Sequence, residues 1–287
     1  YNTKTDKSQL KENTYIQTES YKLKSDSIYY NMHAKYGKAM HNVEVIDTTN
    51  NITIYGGLGE YFEEEDRIEV TVDPLLHILF DNDTLYIHSN KFVSIQEPEG
   101  KKLLSYNQVK FYKKKFQGKC DSLSYSLSDS RINMFKQPIL WNEDFQITAD
   151  SIQFLIKDRE ITQIFLEPRP MVIAKEDSVD YNQIKGKRMT AYFSENKLYK
   201  MDINGNGQSI FIIKDEKENK KIGLNFSECS NMKLYFKKNK IDIINYELMP
   251  NSITIPYNDL KDEDRFLKEF IWRENERPKN KEDIFIF

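Results

Sequence analysis

Cysteine is nearly absent: Cys120 and Cys229 are the only two in 287 residues. They form no CxxC and no metal-ligand spacing. A disulfide framework is therefore excluded, while one long-range disulfide and two half-buried thiols both stay open. Histidine is as scarce. His33, His41, His77 and His88 fall in no HxH or HxxxH pattern, so neither a metal site nor a cofactor is expected. Charge of one sign is also lacking. The 42 basic residues against 45 acidic ones leave a net charge of −3, without the basic excess of a nucleic-acid binder. Apolar runs such as Val172-Ile173-Ala174 fall far short of the roughly 18 residues of a membrane-spanning helix. The start at Tyr1 is polar and lacks the positive-then-apolar pattern of a secretory signal. No G-x-S-x-G and no convincing Cys–His pair occurs. Gly56-Gly57-Leu58-Gly59 is not followed by a helix, so it makes no phosphate loop. Glu63-Glu64-Glu65-Asp66 falls in a turn, where neighbouring side chains diverge into solvent. The chain is therefore read as a non-enzyme.

What is present is alternation. Val43-Glu44-Val45, Ile52-Thr53-Ile54, Ile68-Glu69-Val70-Thr71-Val72, Val109-Lys110-Phe111, Ile132-Asn133-Met134 and Ile152-Gln153-Phe154 repeat with period two. That period puts apolar side chains on one face of a strand and polar ones on the other. The pattern is that of antiparallel sheets with one wet face, an all-β fold. Turn clusters separate the runs, among them Asp47-Thr48-Thr49-Asn50-Asn51 and Asn204-Gly205-Asn206-Gly207.

A short module recurs: Asp then Ser or Thr, an apolar residue, and an aromatic. It is seen at Asp26-Ser27-Ile28-Tyr29-Tyr30, Asp83-Thr84-Leu85-Tyr86, Asp121-Ser122-Leu123-Ser124-Tyr125 and Asp150-Ser151-Ile152-Gln153-Phe154. With looser copies at Gly59-Glu60-Tyr61-Phe62, Met189-Thr190-Ala191-Tyr192-Phe193 and Met232-Lys233-Leu234-Tyr235-Phe236, the steps between the aromatics run to roughly 25–43 residues, in the range of stacked arrays. The tail differs. Asp262 is a cap candidate for a short C-terminal helix over 263–274, with Phe266, Leu267, Phe270 and Ile271 as its apolar stripe and Pro278 beyond it. Asp283-Ile284-Phe285-Ile286-Phe287 is read as a closing strand or as packing under that helix. The expected organisation is a flexible N-terminal segment 1–20, a β repeat domain 21–257 and a C-terminal helix with a capping tail over 258–287.

Tyr36-Gly37-Lys38-Ala39-Met40-His41-Asn42-Val43-Glu44-Val45 resembles the A-x-G-N-V-x-V strand pair of the OstA-like (LptA-like) family of periplasmic lipopolysaccharide-transport proteins. Ile52-Thr53-Ile54-Tyr55-Gly56 with Glu60-Tyr61 is similar to the continuation of that motif. Gln117 to Ser126, Pro138-Ile139-Leu140-Trp141, Ile147-Thr148-Ala149-Asp150 and the ending Arg277 to Phe285 resemble the long Bacteroidetes form. The likeness spans most of 21–287. It implies a β-jellyroll or β-taco: two antiparallel sheets in a V with an apolar seam between them. It further implies a periplasmic location, bound lipopolysaccharide or a related glycolipid, and other OstA-like envelope proteins as strand-edge partners. The chain departs from the pattern by starting part-way into a module and by its helical tail, which the short proteobacterial form lacks.

The inward candidates for a lipid groove are Val43, Val45, Ile52, Ile54, Val70, Val72, Val109, Phe111, Leu123, Tyr125, Ile132, Met134, Ile152 and Phe154. A closed sandwich core has the same alternation as an open groove. Lys110, Lys113 and Lys115 are read as one face opposite Phe111, either solubilising or at the groove mouth. The alternatives to transport are a carbohydrate-active enzyme on a repetitive β scaffold and a non-catalytic envelope scaffold acting through its strand edges.

Overall fold

In the computed structural model, the described residues are 6–17, 21–80, 83–158, 160–195, 197–215, 217–237 and 240–286. The chain divides into two compact units, residues 1–130 with 278–287, and residues 131–277. Strand dominates both, and every strand pair cited below is antiparallel. Unit 1 contains β1 (Lys7–Gln17), β2 (Tyr21–Asn31), β3 (Tyr36–Asp47), β4 (Ile52–Phe62), β5 (Arg67–Thr71), β6 (Leu75–Phe80), β7 (Asp83–His88), β8 (Lys91–Glu97), β9 (Gly100–Lys113) and β10 (Phe116–Ser126). Unit 2 contains β11 (Arg131–Phe135), β12 (Ile139–Asn142), β13 (Phe145–Thr148), β14 (Ser151–Lys157), β15 (Glu160–Glu167), β16 (Met171–Lys175), β17 (Tyr181–Lys185), β18 (Arg188–Ser194), β19 (Lys197–Lys214), β20 (Lys221–Lys237), β21 (Lys240–Glu247) and β22 (Asn251–Pro256).

Each pass of the chain bends once in its middle. In β2 and β3 the pairing register slips between Lys24 and Ser27 and between Met40 and Val43. Elsewhere the strand breaks in two, as between β5 and β6 at Val72-Asp73, where both residues have positive φ. His41-Asn42, Asn107-Gln108, Lys136-Gln137 and Leu248-Met249 are further corners of this type. Corners bond to corners on the next pass: Gly57 N–H donates to Val72 O at 2.8 Å and Lys187 N–H to Gly205 O at 2.8 Å. The corners are tight. A Cβ on Gly56 would stand 2.5 Å from Val70 Cγ1, and one on Gly186 would stand 2.5 Å from Ile203 Cγ2. Only glycine permits that approach.

The bends turn each unit into two sheets sharing a row of corners. In unit 1, sheet A holds β5, β8 and the adjoining halves of the long strands, and sheet B holds β6, β7 and the other halves. In unit 2, sheet C is built on β11, β14, β15 and β18, and sheet D on β12, β13, β16 and β17. The strands β19 and β20 run through both C and D.

The tail does not form a helix over 263–274. Among the described residues its regular structure is limited to short 3₁₀ turns at Tyr257–Asp259, Asp262–Asp264, Glu274–Glu276 and Asp283–Phe285. The physical reason is that its backbone bonds sideways. Gln183 donates to Arg265 O at 2.8 Å and accepts from Leu267 N–H at 2.8 Å. Gln146 does the same with Ile271 O and Arg273 N–H, both at 2.7 Å. Asp262, the expected cap, is fully exposed, as the acidic side chain of a short turn. Leu267 alone of the predicted stripe is buried; Phe266 and Ile271 are exposed. Within unit 2 the tail thus covers the outward face of sheet D, packing Leu267, Phe270 and Trp272 on Ile173, Ile210 and Leu224. It does not cap a strand edge: among the described residues, β21 and β22 each pair only with β20. Within unit 1, Asp283–Phe285 forms a 3₁₀ turn with Ile284 fully buried, not a strand; Phe287 lies outside the described residues.

Candidate functional site

Cross-strand register assigns the two faces of each sheet. In sheet A one row runs Ile28, Ala39, Gly59, Val70, Phe92 and Ser105, ending on Leu123. In sheet B the matching row is Val45, Ile54, Leu76, Ile87 and Phe111. The two rows face each other: the Cβ position of Gly59 lies 3.0 Å from Val43 Cγ1. Between them runs an apolar seam. Unit 2 repeats the plan. Sheet C turns Met134, Ile152, Leu166, Met189, Ile203 and Met232 inward, with Ile132 and Phe154 on the adjacent inward row. Sheet D answers with Leu140, Ile147, Val172, Ile184, Ser209 and Ser227. Tyr246 of sheet C reaches across to Ser209, 3.4 Å from hydroxyl to hydroxyl.

Val43, Val45, Ile52, Ile54, Val70, Val109, Phe111 and Leu123 thus lie on the inner faces of unit 1 and are buried. Tyr125 is inward and half-buried, and burial raises its hydroxyl pKa. In unit 2, Met134, Ile152 and Phe154 are buried and Ile132 half-buried. Val72 departs from expectation. It is 59% exposed, because the strand ends at Thr71 and Val72 turns the corner at φ +64°. Its side chain lies over Gly57. The seam is filled by these side chains: Val70, Val109, Ile152 and Ile203 have no exposure at all.

Opposite the corners, the seam of unit 1 has a mouth. A cleft of about 270 Å³ opens there between Tyr21, Asp47 and Asn50 of sheet B and Ile68, Ser94, Gln96 and Lys101 of sheet A. Lys101 Nζ donates to Asp47 Oδ2 at 2.5 Å, joining the sheets. The side chains are 16% and 7% exposed. Burial pushes the Lys101 ammonium down to about 8, even with that carboxylate beside it. Asp47 keeps three further donors, Thr49 N–H, Asn50 N–H and Asn50 Nδ2. The ammonium also lies 4.0 Å from the centre of the Tyr21 ring. Sequence reasoning missed Lys101. The signal was a lysine in phase with inward Leu103 and two residues nearer the hairpin.

Of the lysines read as one face, Lys110 falls as expected and Lys113 and Lys115 do not. Lys110 faces outward, opposite Phe111, and bonds Ile286 O. Lys113 shares the phase of Phe111 and pairs with Phe116, while Lys115 sits in the turn. Cys120 and Cys229 form no disulfide. Each is buried and donates to a backbone carbonyl, Ser122 O and Asn231 O. Glu63–Glu65 is an exposed 3₁₀ turn. No group of three His, Cys, Asp or Glu able to hold a metal occurs among the described residues. No helix among them is long and apolar enough to cross a membrane.

The best-anchored polar cluster is in unit 2. Asp180 is almost fully buried and accepts from Arg265 Nη1 at 2.5 Å, Tyr257 Oη at 2.6 Å and Lys221 Nζ. Burial works against its charge, but these donors win and hold the carboxyl below its usual range. Arg265 and Tyr257 belong to the tail region, so the cluster ties the tail to sheet D. A second cleft of about 590 Å³ lies by the corners of unit 2, lined by Arg169, Lys185, Lys187, Glu228 and Glu269 among others. Its charges largely neutralise one another: Lys185 bonds Glu269 at 2.6 Å.

No protein-family model matches the chain, and no curated protein matches it. Among solved structures it is similar to LptH of Pseudomonas aeruginosa, described as the LptA-homologous periplasmic component of the lipopolysaccharide transport device. The identity is 8%, over 50% of this chain and 80% of that one, with a TM-score of 0.27. A superposition of that quality carries no residue role from that protein to this chain.

Proposed function

We propose that this protein is a non-catalytic periplasmic bridge that holds lipopolysaccharide or a related glycolipid by its acyl chains between paired sheets. The observation that supports it is the seam: inner rows largely apolar over strand after strand, with the sheets of each unit joined by backbone at the corners. At the mouth of unit 1 the two sheets are tied by side chains, chiefly Lys101 to Asp47. Burial of about 0.8 kcal/mol per methylene supplies ample affinity for a chain that displaces the present filling. Because the resting seam is full, loading requires the sheets to part. The test is a photocrosslinker at Ile54 or Phe111, with an outward control at Tyr112, in the presence of lipopolysaccharide. Crosslinks at the inner positions support carriage; crosslinks confined to Tyr112 refute it.

The zero exposure of Val70, Val109 and Ile152 favours a second reading. In it the seam is a permanent core, and the protein is an envelope scaffold working through its strand edges. The same crosslinking experiment separates the two. Partners among OstA-like envelope proteins belong to both readings.

A further inference from the structure

The pair at the mouth of unit 1 has an unusual balance. Asp47 needs Lys101 little, since three other donors already serve its carboxylate. Lys101 has Asp47 and the face of Tyr21 in exchange for most of its water. Removing an ion from water is costly, and one carboxylate repays that cost incompletely. The ammonium is therefore held by little and can be drawn to an anion with exposed oxygens. Its stem emerges from the inner row of sheet A, where Gln96 pairs with Lys101. Moving the head outward releases the ion pair that links the two sheets at this mouth.

We propose that Lys101 is the gate of the unit 1 seam, selecting anionic glycolipids: the ammonium exchanges Asp47 for a headgroup phosphate at the mouth, and the sheets part there to admit the acyl chains. This rests on the carriage reading above. Asp47 remains satisfied by its turn after the exchange. Asp66, which lines the same cleft on the sheet A side, keeps the phosphate at the rim, where solvent screens it. A lipid without an anionic headgroup offers Lys101 no partner and gains no such help.

The test uses the full chain with a photocrosslinker at Phe111, lipid A carrying both phosphates, and the dephosphorylated form of that lipid. Lys101→Met keeps the stem and removes the charge. The unaltered protein is expected to crosslink the phosphorylated lipid about tenfold more, equivalent to about 1.4 kcal/mol. Lys101→Met is expected to lose that preference while melting no lower than the parent. Equal preference in both proteins overturns the gate and leaves carriage standing. If the unaltered protein crosslinks neither lipid, carriage falls and the gate falls with it.

Discussion

Asp180→Ala removes the anion at the centre of the tail anchor. It leaves Arg265 and Lys221, 15% and 19% exposed, facing a vacated site, and Tyr257 without its acceptor. Breaking a buried ion pair from one side costs about 3–5 kcal/mol. Lys221 retains Asp177, and Asp262 stands 3.8 Å from Arg265, so the lower end, about 3 kcal/mol, applies. For a cooperative domain near this size, that is a fall of about 6–12 °C in melting temperature. Calorimetry and hydrogen exchange at the Leu267 amide are the assays. The exchange readout locates the damage, because Leu267 N–H is held by Gln183 only while the tail is seated. The dependence on pH has a definite sign. Asp180 is held below its usual range, so its stabilisation is present above the unfolded carboxylate value near 3.9 and is lost as pH falls through the folded value. The parent should therefore lose more stability on acidification than the variant. A loss below about 1 kcal/mol, the size of an exposed pair, refutes the anchor.

The remaining tests probe the latch, the clamp and the corners. Lys101 titrates at about 8 in the folded protein and at about 10.4 unfolded, so its charge costs the fold below pH 8 and the cost is relieved as pH rises towards 10.4. The Lys101→Met protein should accordingly be more stable than the parent at pH 7, by up to about 3 kcal/mol, with the gap closing by pH 10; a less stable variant at pH 7 contradicts this. Gln183→Ala strips both bonds from the tail backbone at Arg265 and Leu267 and should cost about 2–3 kcal/mol in denaturant melts, without change in overall strand content by circular dichroism. Gly186→Ala drives a methyl against Ile203 and should cost about 1–3 kcal/mol by the same measurement.

The inner rows were legible because period-two alternation is a local property. Ile152-Gln153-Phe154 announces its buried face without reference to any partner. The corners were less legible. His41-Asn42 and Asn107-Gln108 read as ordinary polar residues within strands, yet both pairs adopt positive φ and turn the chain from one sheet to the other. Val72 was misassigned for that reason: alternation was carried one residue past the bend. The Asp-led module has a mixed outcome. Asp26, Asp121 and Asp150 stand at bends, whereas Asp83 follows a hairpin and opens β7. The tail defeated periodicity. Its apolar spacing suits a helix, but two buried glutamines, Gln146 and Gln183, far away in sequence, offer its backbone better partners than its own next turn. Nothing local distinguishes a glutamine that clamps a distant strap from one that faces water. Lys101 was hidden likewise, because its meaning depends on Asp47 across the mouth.

The central claim is that the two sheets of a unit separate to take acyl chains. Spin labels at Asn50→Cys and Gln96→Cys, on opposite sides of the unit 1 mouth, report that separation directly, with Cys120 and Cys229 buried away from the label. Adding lipopolysaccharide should lengthen the distance between the labels by about 4 Å or more, one layer of carbon contacts. A distance unchanged at saturating lipid would contradict the account and leave the seam a fixed core.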